Sequence, residues 1–185
     1  MFLSSSFPYF LSSSLLQIQL IYTLLSSQLH SDMEDLQRTC TEFVQSLFRE
    51  GFLDLQFSAL QQLKDESNPD FVLDVVSEFF KDSEKLLTDL TDVLGQPIVD
   101  FRKVDSHVHQ LKGTSSSVGA HRLKNACVAF RSYCEEQNVQ ACVGWLQQLK
   151  QEYVLLKTKL ETLFRLEQQI MAGGGSIPCF EDSNY

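Results

Sequence analysis

The sequence is poor in the residues that interrupt helices. Its 185 residues include only 8 glycines and 4 prolines. No segment alternates apolar and polar residues as a half-buried strand does. With 43% hydrophobic residues, the chain can still bury the core of one domain. The composition therefore favours an all-helical fold over a sheet with many turns, and it argues against a disordered chain.

Basic residues are also scarce. Lysine and arginine number 15 against 24 aspartates and glutamates, which gives a net charge of −9. Nucleic-acid-binding proteins need a basic patch or stripe. Nucleic acid is therefore not expected as a partner, whereas an acidic surface is compatible with a protein partner.

Cysteine pairs of the CxxC type are absent, and the number of cysteines, five, is odd. This usage is typical of reduced thiols in the cytosol or nucleus, not of a disulfide framework. Cys127 and Cys134 are seven residues apart and share one helix face. We expect them to be small core hydrophobes.

Charge is missing from the first 31 residues, and Asp32 is the first ionisable acidic or basic side chain apart from His30. A secretory signal requires a basic n-region. A membrane helix requires about 20 mostly apolar residues, and here Gln17 and Gln19 interrupt the best apolar run. We expect residues 1–31 to be a poorly ordered, Ser-rich extension outside the fold. Membrane anchoring is the less favoured alternative, and Met33 could be the start of the compact protein.

Helix start and stop signals divide the rest of the chain. Ser31 and Glu34 have capping-box spacing, and Gly51 predicts the end of that first helix. A short helix with Phe57, Leu60 and Leu63 on one side follows. Asn68 and Pro69 predict the start of a long helix that stops at Gly95.

Three further segments carry apolar residues at helical spacing. They cover roughly residues 101–118, residues 123–134 with Asn138 closing the helix, and residues 146–171. The connections are short, so the four C-terminal helices predict an antiparallel four-helix bundle with two additional N-terminal helices. The helical domain is expected to span residues 32–171 and a flexible tail residues 172–185. A coiled-coil dimer through residues 146–163 is the rival interpretation; a monomer is favoured.

The segment 101–118 separates its two histidines. At roughly 100° per residue from Phe101, its apolar residues centre near ~310°, His109 falls near ~80° and His107 near ~240°. His109 is therefore expected on the exposed face, and His107 at the edge of the core. Five other residues lie around His109 on this wheel: Arg102, Asp105, Lys112, Gly113 and Ser116.

These residue types suit a phosphorylated histidine. A neutral imidazole can attack phosphorus through a ring nitrogen. Lys112, one turn beyond His109, can stabilise the charge of the product, and Ser116 can hydrogen-bond near it. Gly113 costs about 1 kcal/mol in a helix interior relative to alanine, which suggests that a partner's loop must approach closely there.

Other interpretations of the same residues are weaker. His107 and His109 diverge by about 200° on a helix, so they could not chelate a metal together. The segment Gly113 to Gly119 lacks the lysine and the strand of a phosphate-binding loop. A catalytic triad lacks a nucleophile turn and a base. A surface histidine without a function is the plain alternative.

The segment HQLKGTSSSVGA, residues 109–120, closely resembles the signature of histidine-containing phosphotransfer proteins, and the plant type is nearest. Further similarity lies in DESNPDF at 65–71, KNAC at 124–127, YCEEQN at 133–138 and LETLFRLE at 160–167. The resemblance covers roughly residues 33–180 and leaves out residues 1–31.

This resemblance implies that His109 accepts a phosphoryl group from the aspartate of a hybrid histidine kinase receiver domain and passes it to a response regulator. It implies a place in the plant cytokinin relay, in cytosol and nucleus, and no kinase activity of its own. Because the Mg²⁺ used in transfer belongs to the receiver, no metal or cofactor is expected. Helical geometry puts Arg102, Asp105, Gln110 and Gly113 on the docking surface. The alternative is a helical binding module that sequesters receiver domains without transfer.

Overall fold

A computed structural model describes residues 8–65 and 67–178, with side chains from residue 16 onward. Within these ranges there are six α-helices and no β-strand, only two isolated bridges. The helices are α1 (Pro8–Arg49), α2 (Leu55–Gln61), α3 (Phe71–Leu94), α4 (Phe101–Ser117), α5 (His121–Glu135) and α6 (Val139–Ala172). The predicted all-α class is confirmed.

The last four helices form a closed ring. α3 and α5 each pack against both α4 and α6. The connections cover only residues 95–100, 118–120 and 136–138, and such short links place consecutive helices antiparallel. The ring confirms the predicted four-helix bundle.

The apolar stripes of the four helices meet in the centre of the ring. Fully buried side chains include Leu90, Leu111, Phe130, Leu149 and Leu160. Burying each of them stabilises the fold by about 1.5–3 kcal/mol relative to exposure. The α6 residues from Leu146 to Leu163 that suggested a coiled-coil dimer are buried in this core, so they cannot pair with a second copy.

The two N-terminal helices support the bundle in different ways. The C-terminal half of α1 packs along α6 and buries Cys40, Val44 and Leu47. The segment around α2 closes the end of the bundle where α4 leads into α5. There the Asp54 amide donates to the Gly119 carbonyl at 3.0 Å, and the His121 amide donates to the Phe52 carbonyl at 3.0 Å.

The Asp54 carboxylate strengthens this junction. It accepts from the Gln56 amide at 3.0 Å, which caps α2, and from Lys124 Nζ of α5 at 2.7 Å. Partial burial raises the pKa of Asp54, but the hydrogen bonds from Lys124 and Gln56 outweigh burial and hold this pKa below its usual value. Asp54 is therefore charged at cellular pH and ties the N-terminal segment to α5.

Gly119 permits the close approach of α2 to the end of α4. Its φ is +72°, and a Cβ there would collide with the Phe57 backbone nitrogen and lie 2.9 Å from the Phe57 Cβ. We expect Gly119→Ala to lower the free energy of unfolding by about 2–4 kcal/mol, through backbone strain and overlap. Urea denaturation followed by circular dichroism measures this loss.

Gly51 provides the matched control for Gly119. Its φ is +71°, and a Cβ there meets nothing within 4 Å. Gly51→Ala should therefore cost only the backbone strain, about 1–2 kcal/mol. Equal losses for the two variants would show that the approach of Phe57 does not constrain Gly119.

The predicted start of the first helix at Ser31 is wrong. α1 continues without interruption from Pro8 to Arg49. The polar residues before Ser31 fit a helix because their hydroxyls bond to the helix's own carbonyls, as Thr23 does to Gln19 at 2.8 Å and Ser27 to Leu24 at 2.9 Å. A capping signal inside such a helix has no effect.

The predicted start of the long helix at Asn68 is also wrong. α3 begins at Phe71, because the Asp65 carboxylate holds Ser67 and Asn68 in a turn by accepting from both backbone amides at 2.9 Å. Leu63 falls beyond the end of α2 and is 63% exposed, so its predicted place on the apolar side is wrong.

The prediction that Asn138 closes α5 is wrong. α5 ends at Glu135, and Gln137 takes a left-handed conformation with φ 52°. Asn138 opens the next helix, since its side chain accepts from the Ala141 amide at 3.0 Å. α6 therefore begins at Val139, before the predicted position 146.

The two chain ends differ in their contacts with the bundle. Side chains from residue 16 to 32 are all exposed. After α6, the Ser176 carbonyl accepts from Gln37 Nε2 of α1 at 2.8 Å, while residues 179–185 lie outside the described part. The division into an extension, a domain of residues 32–171 and a flexible tail stays a prediction. None of the described helices contains an apolar stretch of the length that spanning a membrane requires.

Four of the cysteines lie in the core. Cys40, Cys127, Cys134 and Cys142 are buried free thiols, as predicted for Cys127 and Cys134, and Cys179 lies outside the described residues. Burial raises the pKa of Cys127 to about 12. A thiol with so high a pKa is an inert packing group at cellular pH.

Candidate functional site

α4 carries the residues that the sequence singles out, and its buried face fixes their orientation. The Asp100 carboxylate caps the helix by accepting from the Arg102 amide at 3.1 Å and the Lys103 amide at 3.3 Å. The fully buried side chains are Val104, Val108, Leu111 and Ser115, and the Ser115 hydroxyl donates to the Leu111 carbonyl at 2.7 Å. The exposed side includes Arg102, Ser106, His109, Gln110, Gly113 and Ser117.

The three histidines of the bundle have different surroundings. His109 is exposed, and its ring makes no hydrogen bond or ion pair with any residue that the structure describes. His107 is half-buried, at the edge of the core. His121 lies on α5, with Nε2 2.9 Å from Asn125 Nδ2 and Nδ1 3.5 Å from Asp54 Oδ2. His109 is thus the histidine whose ring nitrogens are open to a partner.

The described residues do not form a metal site with these histidines. Over residues 8–65 and 67–178, no group of three histidine, cysteine, aspartate or glutamate side chains could hold a metal ion. The contacts of His121 are a hydrogen bond between Nε2 and Asn125 of the same helix and an approach of Nδ1 to the Asp54 carboxylate at 3.5 Å. They make His121 part of the junction between α2 and α5.

Lys112 is the cation nearest in sequence to His109, one turn further along α4. It is half-buried, and no carboxylate in the described part of the chain pairs with it. Two cations of α5 are paired, by contrast: Lys124 binds Asp54 at 2.7 Å, and Arg122 binds the buried Glu152 through two hydrogen bonds of 2.7 and 2.8 Å. Lys112 is therefore free to interact with an added negative charge.

Gly113 lies inside α4, and no packing contact within the described chain requires glycine there. A Cβ built at this position meets nothing within 4 Å, and the helix continues to Ser117. Alanine would stabilise a helix interior by about 1 kcal/mol. The missing side chain leaves a flat, open patch next to His109.

The hydroxyls after Gly113 bond within their own helix. Ser116 donates to the Lys112 carbonyl at 2.9 Å, and Ser117 donates to the Thr114 carbonyl at 2.8 Å. Ser116 would have to give up this hydrogen bond in order to donate to another group. Its neighbours are small, so the surface beyond His109 is low and polar.

Asp105 lies one turn before His109 and pairs with a residue that sequence reasoning missed. Its carboxylate accepts from Arg131 Nε of α5 at 2.7 Å. Beside the pair is a depression of about 280 Å³, lined in part by Phe101, Arg102 and Cys134. No local spacing in the sequence could reveal Arg131, because it is 26 residues away and on another helix.

Cavity geometry distinguishes the α4 surface from a small-molecule pocket. A cavity of about 660 Å³ lies between α5 and α6, next to the stacked rings of Tyr133 and Trp145. No residue of α4 lines this cavity. His109 instead lies on an open helix face, which can receive a protein surface more readily than enclose a small substrate.

Comparison with known proteins agrees with this geometry. The Hpt domain family model matches residues 74–169, a range that includes all of α4. The chain is 62% identical over 150 residues to histidine-containing phosphotransfer protein 1 of Arabidopsis thaliana, which covers 81% of this chain and 97% of the relative. It is 45% identical over 148 residues to pseudo histidine-containing phosphotransfer protein 6 of the same plant, covering 79% and 96%.

A solved structure shows the same likeness. The crystal structure of a histidine-containing phosphotransfer protein from Medicago truncatula superposes with a TM-score of 0.73 at 50% sequence identity. The match covers 76% of this chain and 96% of that chain.

Proposed function

Because the chain belongs to the family of plant histidine-containing phosphotransfer proteins and shares its role in His–Asp phosphorelays, we propose that His109 is its phosphoryl carrier. The donor is the receiver domain of a hybrid histidine kinase, and the acceptor is a response regulator. We place this transfer in the cytokinin relay, with the protein present in both cytosol and nucleus. The observation that supports this proposal is that the His109 side chain is exposed, makes no hydrogen bond to a described residue and lies beside the open patch at Gly113.

The chemistry requires little from this chain beyond position. A nitrogen of the neutral His109 ring attacks the phosphorus of the donor's aspartyl phosphate, an N–P bond forms, and the P–O bond to the aspartate breaks. The aspartate leaves as a carboxylate, and the proton of the attacking imidazole is lost to solvent. The second transfer reverses these steps on the aspartate of the response regulator. The chain itself needs no nucleotide and has no kinase activity.

The residues around His109 divide into two roles in this proposal. Lys112, with no carboxylate partner among the described residues, stabilises the phosphoryl group on His109 as a point charge. Ser116 contributes a hydroxyl once it releases the Lys112 carbonyl. Arg102, Asp105, Gln110 and Gly113 form the docking surface, and the 280 Å³ depression beside Arg102 and Asp105 can take a side chain of the receiver.

Transfer from a phosphorylated receiver domain tests the proposal directly. Incubating the full chain with a receiver carrying radioactive aspartyl phosphate should move the label to this chain. The label should be acid-labile and alkali-stable, as a phosphoramidate is, and peptide mapping should place it between residues 104 and 120. A label on another segment would mean that His109 is not the carrier.

A protein that only sequesters receivers is the alternative. Similarity alone does not exclude it, because a relative named as a pseudo phosphotransfer protein is 45% identical to this chain. The exposed His109 favours transfer. The alternative would be supported if a phosphorylated receiver bound the chain, for example in a pull-down, and kept all of its label.

A further inference from the structure

The N-terminal half of α1 extends past the bundle as an exposed apolar helix. α1 has 42 residues, and the segment from residue 16 to 29 has large apolar side chains that are 51–70% exposed. These are Leu16, Ile18, Leu20, Ile21, Tyr22, Leu24, Leu25 and Leu29. No aspartate, glutamate, lysine or arginine occurs among residues 1–31. Exposed apolar surface of this extent marks an interaction site.

Five of these side chains continue the face by which α1 packs on α6. At 100° per residue, the stripe made by Ile18, Ile21, Tyr22, Leu25 and Leu29 lies in line with the row that supplies Met33, Leu36, Cys40 and Val44 to the core. α6 ends at Ala172, and the residues just after it, Gly173 and Gly175, lie against Met33. The partner helix stops there, but the apolar stripe continues.

The remaining leucines lie on the other side of the helix and do not continue a packed face. Leu16, Leu20 and Leu24 are on a row that leads to Arg38 and Glu42, both of which are exposed. The row thus becomes the solvent face of α1. Only the stripe from Ile18 to Leu29 extends an interface that the molecule already uses.

We propose that the stripe of Ile18, Ile21, Tyr22, Leu25 and Leu29 pairs two copies of this chain. The spacing from Ile18 through Tyr22 and Leu25 to Leu29 is 4, 3 and 4 residues, which is the pattern of helices that pack side by side. The segment has no aspartate, glutamate, lysine or arginine before Asp32, so two identical helices meet along the stripe with little repulsion. This proposal departs from the monomer that the sequence favours, and it does not depend on phosphotransfer.

A membrane surface fits the same stripe less well. Helices that lie in a membrane interface are rich in lysine and arginine on their polar face, whereas this segment has neither. The whole chain also has a net charge of −9, which opposes binding to anionic lipids. A second copy presents the same uncharged, apolar stripe and meets neither obstacle.

Light scattering after size-exclusion chromatography tests the pairing on the full chain. At tens of micromolar, the wild type should have twice the 21.1 kDa mass of one chain. Leu25→Glu should reduce this to the mass of one chain, because it places a charge in the stripe. The matched control is Leu20→Glu: both leucines are 63% exposed, but Leu20 lies on the opposite side of α1, so this variant should remain paired.

Further measurements separate the other outcomes. Leu29→Glu is a second disruption within the stripe and should also give the single-chain mass. Circular dichroism should show the same helicity for all three variants, since the side chains are exposed. A single-chain mass for the wild type, or an equal loss for Leu20→Glu, overturns the proposal. If the wild type has the mass of one chain and also co-sediments with phosphatidylcholine vesicles, the stripe binds a membrane surface and the proposal is overturned.

Discussion

Replacing His109 with glutamine should abolish the uptake of phosphoryl groups from a phosphorylated receiver domain, with a loss on the order of 10³-fold or more. An amide has no nucleophilic ring nitrogen, so no N–P bond can form. The fold should be unaffected, because His109 is exposed and bonds to no described residue. The measurement is the rate of label transfer from the receiver, with circular dichroism to confirm that the variant is folded.

His107 is the matched control for this substitution. It is on the same helix, two residues earlier, and is half-buried on another side of α4. His107→Gln should transfer within a few-fold of the wild-type rate, even if it loses some stability. If His109→Gln accepted as much label as the wild type, the assignment of the carrier would be wrong, whatever the behaviour of His107→Gln.

Replacing Gly113 with tryptophan should lower the rate of transfer by on the order of 10²-fold while His109 itself remains intact. The chain has room for the side chain, since a Cβ at Gly113 meets nothing within 4 Å, and helix propensity should rise slightly. The obstruction therefore falls on the receiver, whose displacement by even 1 Å can cost about 10²-fold in rate. Receiver binding, measured by calorimetry, should weaken together with transfer.

Gly144 offers a control of the same kind. It is an exposed glycine inside α6, and a Cβ there also meets nothing within 4 Å. It lines the cavity between α5 and α6, which contains no residue of α4. Gly144→Trp should leave transfer unchanged. Equal losses in the two variants would point to a general effect on the bundle and would remove the argument that a receiver approaches Gly113.

Helical periodicity explains what could be predicted from the sequence. The burial of Val104, Val108 and Leu111 turns His109 outward and leaves His107 at the edge of the core, as the helical wheel indicates. The same period predicts the four helices of the bundle. These features are local, because each follows from residues three or four positions apart on one helix.

The features that could not be predicted depend on contacts between distant segments. Arg131 meets Asp105 across two helices, and Asp54 meets Lys124 over 70 residues. The predicted starts of α1 and α3 are wrong for a related reason. Ser31 and Asn68 are residue types that commonly cap helices. Ser31, however, lies inside the continuous helix α1, and Asn68 lies in a turn that the Asp65 carboxylate stabilises.

The pairing of Asp105 with Arg131 also bears on how long a phosphoryl group would stay on His109 in the proposed transfer. Asp105 is the carboxylate one turn before His109, and a free carboxylate there would repel the phosphoryl dianion and could draw a proton from an attacking water. Arg131 offsets its charge and occupies one of its oxygens at 2.7 Å. The pair therefore reduces the negative charge next to His109 and leaves one Asp105 oxygen fewer to act as a base toward water. In the proposed relay, transfer to a docked aspartate then competes better with loss to solvent, and the lifetime of the signal would depend on how soon an acceptor arrives.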